Sequence, residues 1–447
     1  MENRIESQTE KIEASDSIVF SADITNEEAL LFQYLKEKQG KRVICPEAKA
    51  YQSFLNAYSS MTGTHVFKGD LDTLALSDLV ISFGVWFEDQ SVVSETPVRK
   101  TLEGKKSPFV YMHPIEDATL QDSITQFVKY EAGSEGGVAA LLALTLLEDK
   151  VLPEKIEEIL EAFDIGYLSA ESNVGEEELE SLYARVDEKA TLSLLIGSDL
   201  YTHPQAAEIA QLIALLEMYA GVNVVCLPPA KNALGIALIC DLDDTVQGQS
   251  VVYDSSKEGT YVNVDKCVIL HDTMQLSDID SLNSLAKMIG LHADNLIDYS
   301  KQLPQNKGFR VVGNDVNKHC LYHLVPQERD KDVLLDEIEE LPLYDGALVY
   351  TYKVEDPITE ERRKLGVLYG SKQFATATKL QEDDMISFEV GKVKFTCVFK
   401  IDTHMKGVIA LNPVCDIKLS ASLLSSYRFS RLAFEKINNQ NIGNNDE

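Results

Sequence analysis

Short apolar runs alternate with helical patterns from about residue 17 onward. Segments of helical periodicity separate these runs, and the first of them, Asn26–Lys38, ends at Gly40. Buried apolar strands separated by helices are typical of a parallel sheet that is covered on both faces. We therefore expect a first αβα domain over residues 17–150. Its predicted strands are Ser17–Phe20, Arg42–Cys45, Leu79–Gly84 and Pro108–His113.

A second α/β set follows an acidic, helical stretch at residues 149–190. Thr191–Ile196 and Asn223–Leu227 have the composition of buried strands, and a helix opened by His203 and Pro204 runs between them. Val138–Leu147, just before this set, is apolar all round, which predicts a helix buried between layers. The sequence therefore predicts a second αβα domain over residues 151–335.

The pattern becomes mainly β after about Leu341. Short strands separated by close turns favour a small barrel, which we place at residues 336–432. Residues 1–16 and 433–447 are expected to be disordered tails. The predicted fold class is therefore α/β, with two parallel-sheet, Rossmann-like αβα domains and a small C-terminal β-barrel-like domain. Its β-rich runs are Ala347–Val354, Met385–Val390, Lys392–Ile401 and Gly407–Leu411.

The chain is strongly acidic, with 41 Lys and Arg residues against 72 Asp and Glu residues and a formal charge of −31. Phosphate backbones and anionic lipid repel such a chain, which argues against nucleic acid or a membrane surface as a direct partner. The N-terminal residues mix charges and lack an apolar core, so we do not expect a signal peptide. Since the longest apolar stretch is too short to cross a bilayer, a cytoplasmic protein is predicted.

The seven cysteines are dispersed and form no C-x-x-C pair, so neither a disulfide framework nor a locally encoded metal or cluster site is expected. His319, Cys320 and His323 give H-C-x-x-H, which resembles one corner of a metal site. No further Cys or carboxylate pair is spaced to complete a tetrahedral site. We therefore expect these residues to line a strand or loop, and the sequence predicts no metal ligand.

The sharpest short motif is Asp241-Leu242-Asp243-Asp244-Thr245, after the apolar run Ile236–Cys240. A strand that ends in D-x-D-x-T resembles the nucleophile motif of haloacid-dehalogenase-type phosphatases. That resemblance implies Asp241 as nucleophile and Asp243 as acid and base, both holding magnesium. The alternative interpretation of the motif is a solvated acidic turn.

Several segments, taken in order, resemble the molybdopterin oxidoreductases. Glu258–Val268 is similar to the E-G-T-[FY]-x-N-x-E-x-R-V segment of that family, from which it departs at Lys266 and Cys267. Ala377–Leu411 resembles the small β domain that closes these proteins. The remaining similar segments are Ser77–Gly84, Glu131–Leu144, Leu194–Pro204 and Lys231–Gly235.

Within that family the segments resemble the G subunits of NADH-quinone oxidoreductase, the respiratory complex I, without their N-terminal iron–sulfur region. The resemblance implies a place in the peripheral arm, with the other subunits of that complex as partners. It implies a cytoplasmic location, peripheral to the inner membrane through the complex. The residues that would face the cofactor cleft, now vestigial and filled by side chains, are Gly197, Asp199, Asn232, Glu258, Gly259, Thr260 and Asn263.

The expected role is structural, within NADH oxidation, quinone reduction and proton translocation, and we expect no catalytic residue on this chain. The family uses iron–sulfur clusters and, in its enzymes, molybdopterin. The dispersed cysteines and the missing Arg of the E-G-T segment predict that this chain carries neither. Two alternatives remain open: a stand-alone molybdopterin-dependent oxidoreductase, and a phosphatase that uses Asp241 and Asp243.

Overall fold

The computed structural model describes most of the chain. The described residues are 10–87, 95–104, 106–117, 120–185, 190–253, 259–270, 286, 320–324, 328, 331, 335, 338, 340–342, 344, 346–354, 363–391, 393–414 and 426–437. None of the helices within these ranges is both long enough and apolar enough to cross a bilayer.

The helices of the described residues are α1 (Asn26–Gln39), α2 (Pro46–Thr62), α3 (Leu71–Leu76), α4 (Glu95–Glu103), α5 (Glu135–Leu147), α6 (Glu154–Glu161), α7 (Ile165–Ser172), α8 (Glu176–Tyr183), α9 (Ser198–Tyr201), α10 (Ala206–Tyr219), α11 (Ala233–Ile239) and α12 (Lys372–Thr378). The strands are β1 (Ser17–Phe20), β2 (Arg42–Ile44), β3 (Leu79–Phe83), β4 (Phe109–Met112), β5 (Gln126–Val128), β6 (Leu192–Ile196), β7 (Asn223–Cys226), β8 (Ser250–Tyr253), β9 (Thr260–Val262), β10 (Cys267–Leu270), β11 (Tyr322–His323), β12 (Leu348–Lys353), β13 (Val367–Gly370), β14 (Met385–Val390), β15 (Val393–Ile401), β16 (Ile409–Val414), β17 (Phe429–Arg431) and β18 (Glu435–Lys436).

Local sequence signals set the ends of the first long helix. The side chain of Thr25 accepts the N–H of Glu28, while the Glu28 carboxylate accepts the N–H of Thr25, which is a complete capping box. The helix ends at Gly40, whose φ of 69° is the left-handed conformation that glycine adopts without steric cost. The predicted helix and its glycine stop are confirmed.

A five-stranded parallel sheet with strand order β5-β4-β3-β6-β7 forms the centre of the molecule. In the middle of the sheet, Ile81 of β3 lies opposite Val110 of β4 and Leu194 of β6. Every residue of β3, β4 and β6 is buried, as expected for a parallel sheet covered on both faces. Because the strands are parallel, their carboxyl ends meet at one edge.

Two smaller sheets complete the α/β part of the fold. β2, β1 and β8 form a parallel sheet, and β11, β10 and β9 form an antiparallel one. The sheets therefore combine strands from both sides of residue 150, since β3 pairs directly with β6. The domain bounds drawn from the sequence stay predictions.

The C-terminal region is a curled, mixed sheet with strand order β17-β12-β16-β13-β15-β14-β18. One of its faces has a core of its own, which includes Phe374, Ile386 and Phe399. Tyr350 and Tyr352 of β12 instead pack with Trp86 of the α/β part. β12 therefore joins this region to the carboxyl edge of the central sheet.

Regular structure extends into both stretches that the sequence assigned to disordered tails. Residues 10–14 are helical, and the fully buried Ile12 belongs to the main core. Lys41 Nζ donates to the carbonyl oxygens of Ile12, Glu13 and Ser15, at 2.6 to 3.0 Å. At the other end, β18 pairs with β14. Tertiary contacts, which a polar composition does not reveal, hold both segments.

Candidate functional site

The carboxyl edge of the central sheet is where open α/β folds place their ligands. Gly197 follows β6 there and lies against the loop after β3. A Cβ atom on Gly197 would be 1.8 Å from the carbonyl oxygen of Gly84, a position that only glycine can occupy. Gly197, the first predicted cleft residue, thus allows the loops after β3 and β6 to pack closely.

Asp199, in the first turn of α9, is the centre of a buried polar network. Its side chain is 1% exposed. His113 Nε2 lies 3.0 Å from Asp199 Oδ2, and the Tyr350 hydroxyl donates to Asp199 Oδ1 at 3.0 Å. Arg428 Nε is 3.6 Å from the same carboxylate. His113 Nδ1 accepts the N–H of Ile115, and this hydrogen bond favours the tautomer with its ring proton on Nε2, which faces Asp199.

A second network lies around Glu135. His203 Nδ1 accepts the N–H of Gln205, and His203 Nε2 is 3.0 Å from the Gly133 carbonyl oxygen, its hydrogen-bond partner. Glu135 Oε2 lies 3.1 Å from the same nitrogen without a hydrogen bond. The Tyr427 hydroxyl donates to the other oxygen of Glu135 at 2.5 Å. Burial, followed by the charge of Glu135, raises the pKa of Tyr427 well above its ordinary value, so this hydroxyl stays a donor. In each network a tyrosine of the C-terminal region donates a hydrogen bond to a buried carboxylate that lies next to a histidine.

Side chains of the C-terminal region fill the edge of the sheet. The rings of Tyr350 and Phe429 are 4.8 Å apart, and Trp86 stands edge-on to Tyr350 at 5.2 Å. Beside this cluster lies a small cavity of about 10 Å³, which Ser198, Arg428 and Glu47 help to line. That volume suits one water molecule, whereas cofactor pockets occupy roughly 300 to 1,000 Å³. The described residues around Asp199 therefore leave no room for a pterin cofactor beside this carboxylate.

Asn232, Gly259 and Thr260 lie together, but each binds another part of this chain. Asn232 Nδ2 donates to the carbonyl of Ile24, and Asn232 Oδ1 accepts the N–H of Val262. Thr260 donates its N–H and its hydroxyl to the two carboxylate oxygens of Glu27, at 2.7 and 2.9 Å. Burial raises the pKa of Glu27 to about 7. A Cβ on Gly259 would be 2.2 Å from Glu27 Oε2.

Asn263, another predicted cleft residue, lies in the turn between β9 and β10. Asn263 Oδ1 accepts the N–H of Cys267 at 2.9 Å and so stabilises the turn between β9 and β10. Glu258 lies outside the described residues. Glu47 connects the Gly197–Asp199 loop with the Asn232 group, because it accepts the N–H of Ala22 and borders the small cavity.

The prediction that the D-x-D-x-T motif follows a strand, as in the phosphatases, is wrong. The apolar run before Asp241 belongs to α11, a helix that ends at Ile239. Asp243 Oδ2 accepts Lys36 Nζ at 2.8 Å and the N–H of Val43 at 2.9 Å. Partial burial acts to raise the pKa of Asp243, but these two hydrogen bonds outweigh it and lower the pKa. Asp243 therefore links α1 to β2. The apolar run before Asp241 was predicted to be a strand because a short buried helix and a buried strand have similar composition.

A larger cleft of about 1040 Å³ lies between Glu116 and the C-terminal sheet. Three of the four cationic side chains that line it are paired with carboxylates of the same lining. Lys406 Nζ is 3.1 Å from Glu116, and Arg363 Nη2 is 3.3 Å from Asp402. Lys364 adds a fourth cation, so the lining carries a net charge of +1: the cations are Arg363, Lys364, Lys400 and Lys406, and the carboxylates are Glu116, Glu382 and Asp402.

Cys320 and His323 of the H-C-x-x-H motif meet a third residue that the sequence did not connect with them. Their donor atoms and that of Cys267 all lie within 4.8 Å of one another. His319 lies outside the described residues. The chemistry of this cluster is taken up below.

The comparisons with known proteins bear on the fold. No protein-family model matches the sequence, and no curated protein matches it. The chain is similar to the solved structure of acetylene hydratase from Pelobacter acetylenicus, an enzyme of molybdopterin type, with a TM-score of 0.60. That alignment covers 92% of this chain and 81% of the hydratase at 9% sequence identity. A chain of the formyltransferase/hydrolase complex of Methylorubrum extorquens also aligns, over 50% of this chain and 57% of that chain at 12% identity. Its TM-score of 0.33 is too low to support a shared fold.

The first likeness shows a molybdopterin-enzyme-like fold, with parallel sheets and a curled mixed sheet. At 9% identity it shows the fold alone. The finer resemblance to G subunits stays a prediction.

Proposed function

We propose that this chain is a subunit-G-like structural component of the peripheral arm of NADH-quinone oxidoreductase, without a redox centre of its own. In this proposal the chain contributes shape and surfaces to the assembly. NADH oxidation, quinone reduction and proton translocation take place in the other subunits, through which the chain is peripheral to the inner membrane.

The filled carboxyl edge is the observation that carries this proposal. Asp199, at the position where the fold class places ligands, binds His113, Tyr350 and Arg428 of its own chain. An enzyme of this fold needs an open cleft there, whereas a structural subunit gains stability when its side chains close it. The small size of the cavity beside the Asp199 network, about 10 Å³, favours the structural role over a stand-alone pterin enzyme.

The first experiment is fractionation of mildly solubilised membranes from the native host. The protein should comigrate with NADH-oxidising activity in a large particle, and its deletion should lower assembly of the peripheral arm. A chain that stays wholly at its own mass, and whose deletion leaves NADH-driven quinone reduction intact, would refute the proposal.

A variant separates a structural role from a catalytic one. Asp199→Asn keeps the size of the side chain but removes its charge. In a complemented deletion strain, quinone reduction should follow the amount of assembled complex, with the exposed Asp122→Asn as the control. Loss of turnover at an unchanged amount of complex would indicate that Asp199 takes part in chemistry.

Cofactor analysis of the purified chain tests the remaining alternative. Oxidative release should yield no fluorescent pterin, and elemental analysis should yield no stoichiometric molybdenum or iron. Either cofactor at one equivalent would favour the stand-alone oxidoreductase.

A further inference from the structure

Cys267, Cys320 and His323 bring two thiols and an imidazole together in the small antiparallel sheet. Cys267 begins β10 and lies directly opposite His323 of β11. The bonds Leu321 N–H to Val268 O and Leu324 N–H to Lys266 O flank this pair rather than joining it. Facing side chains approach most closely at such a non-hydrogen-bonded pair, and they lie on one face of the sheet.

The distances within this cluster are those of a shared ligand. Cys267 Sγ is 3.3 Å from His323 Nε2 and 3.9 Å from His323 Nδ1. The donor atoms of all three residues lie within 4.8 Å of one another. A tetrahedral zinc ion with Zn–S near 2.3 Å and Zn–N near 2.1 Å requires donors separated by about 3.6 to 3.8 Å. The two sulfur-to-nitrogen distances, 3.3 and 3.9 Å, lie on either side of that range.

The backbone that carries these donors is fixed. Asn263 Oδ1 accepts the N–H of Cys267, and the N–H of Asn263 donates to the Cys267 carbonyl. Cys267 is 0% exposed and Cys320 is 1% exposed, while His323 is partly exposed. Two buried thiolates are stable only beside a compensating charge, which a divalent cation supplies.

We propose that Cys267, Cys320 and His323 bind one Zn²⁺ ion that cross-links β10 and β11. Thiolate and imidazole donors select a borderline-soft metal over Mg²⁺ or Ca²⁺. Binding releases the two thiol protons to solvent and leaves the fourth tetrahedral position to water or another donor. Zinc has no redox chemistry in proteins, so the site stabilises the fold without adding electron transfer.

The first test is metal analysis of the full-length chain, purified without chelator. We expect about one zinc per chain, and we expect Co²⁺ in its place to give visible d–d bands of tetrahedral type with a thiolate-to-cobalt charge-transfer band. Removal of zinc should lower the melting temperature by about 5 °C, and added Zn²⁺ should restore it. Absence of bound zinc together with absence of a cobalt band would overturn the proposal, as would iron at the site or a Cys267–Cys320 disulfide in the native chain.

Variants assign the ligands. Cys267→Ser and Cys320→Ser should each lower zinc affinity by at least tenfold, whereas Cys397→Ser, at a buried cysteine of β15 outside the cluster, should not. His323→Cys keeps a ligand and should retain cobalt with a stronger charge-transfer band from a third thiolate, which gives a result even if a serine variant misfolds. Unchanged affinity in both serine variants, or a cobalt spectrum of His323→Cys identical to that of the parent, would refute this ligand set.

Discussion

Removal of the Tyr350 hydroxyl is a direct test of how the C-terminal sheet is held on the central sheet. This hydroxyl donates to Asp199 Oδ1 at 3.0 Å and lies 3.2 Å from Oδ2, and both side chains are 1% exposed. Hydrogen bonds to charged groups are worth about 1.5 to 3 kcal/mol each. We therefore expect Tyr350→Phe to lower the free energy of unfolding by about 2 kcal/mol, roughly a thirtyfold change in the equilibrium constant.

The chain carries its own probe for this measurement. Trp86 is the only tryptophan, and it packs edge-on to Tyr350 and Tyr352 at 5.2 and 4.8 Å. Urea unfolding followed by tryptophan fluorescence therefore reports the opening of this interface. Since the two residues share one hydrogen bond, Asp199→Asn combined with Tyr350→Phe should cost less than the sum of the single changes by about 1 kcal/mol or more.

A neighbouring tyrosine supplies the matched control. Tyr130 is fully buried in the same region, and its hydroxyl has no hydrogen-bond partner among the described residues. Tyr130→Phe should be neutral or stabilising, because a buried donor that lacks a partner costs free energy. The interpretation of the network is refuted if Tyr350→Phe changes the free energy of unfolding by less than about 0.5 kcal/mol, which is the usual error of such cycles. It is refuted equally if the effects of Tyr350→Phe and Asp199→Asn are fully additive.

Two further changes test the loops next to this edge. Gly197→Ala puts a methyl group 1.8 Å from the carbonyl of Gly84, so the free energy of unfolding in urea should fall by about 3 kcal/mol or more. Burial raises the pKa of Glu27 from 4.5 to about 7. The neutral carboxyl group therefore makes its full contribution to the free energy of unfolding below pH 4.5, and this contribution is lost as the pH rises toward 7. Glu27→Gln should remove that loss, which is on the order of 3 kcal/mol, when unfolding is compared at pH 4.5 and pH 8.

Each of these changes has a control on the same chain. Gly166→Ala lies inside α7, where a Cβ meets only the Asp164 side chain, and it should be neutral or stabilising. Glu37→Gln lies at an exposed position of α1 and should keep the parent's pH dependence. A Gly197→Ala protein as stable as the Gly166→Ala protein, or a Glu27→Gln protein with the parent's pH profile, would contradict the argument.

The hydrophobic pattern predicted the elements better than it predicted their assembly. Strand Ser17–Phe20 and the buried helix over Val138–Leu147 lie where the sequence indicated, because apolar composition reports local burial. Apolar composition does not indicate which strands pair. The sequence therefore did not predict that β3 and β6 are neighbours in one sheet.

The sequence likewise predicted some residues of the candidate site and missed their partners. Gly197 and Asp199 do lie at the carboxyl edge, but the histidines and tyrosines that surround Asp199 were missed. One signal was present: His113-Pro114 and His203-Pro204 are the same dipeptide, and in both the ring nitrogen accepts the backbone N–H two residues after the histidine. The tyrosine partners come from distant parts of the chain, a relation that only the folded structure reveals.

The parallel pairing of β1 with β8 delays folding during synthesis. The hydroxyl of Ser17 donates to the carbonyl of Gln247, 230 residues later in the chain. At about 5 to 20 residues per second, a ribosome needs roughly 12 to 46 s to make that stretch. During this time the backbone N–H and C=O groups along one edge of β1 lack their partner strand. We therefore expect the sheet of β2, β1 and β8 to be complete only after residue 253 has left the ribosome.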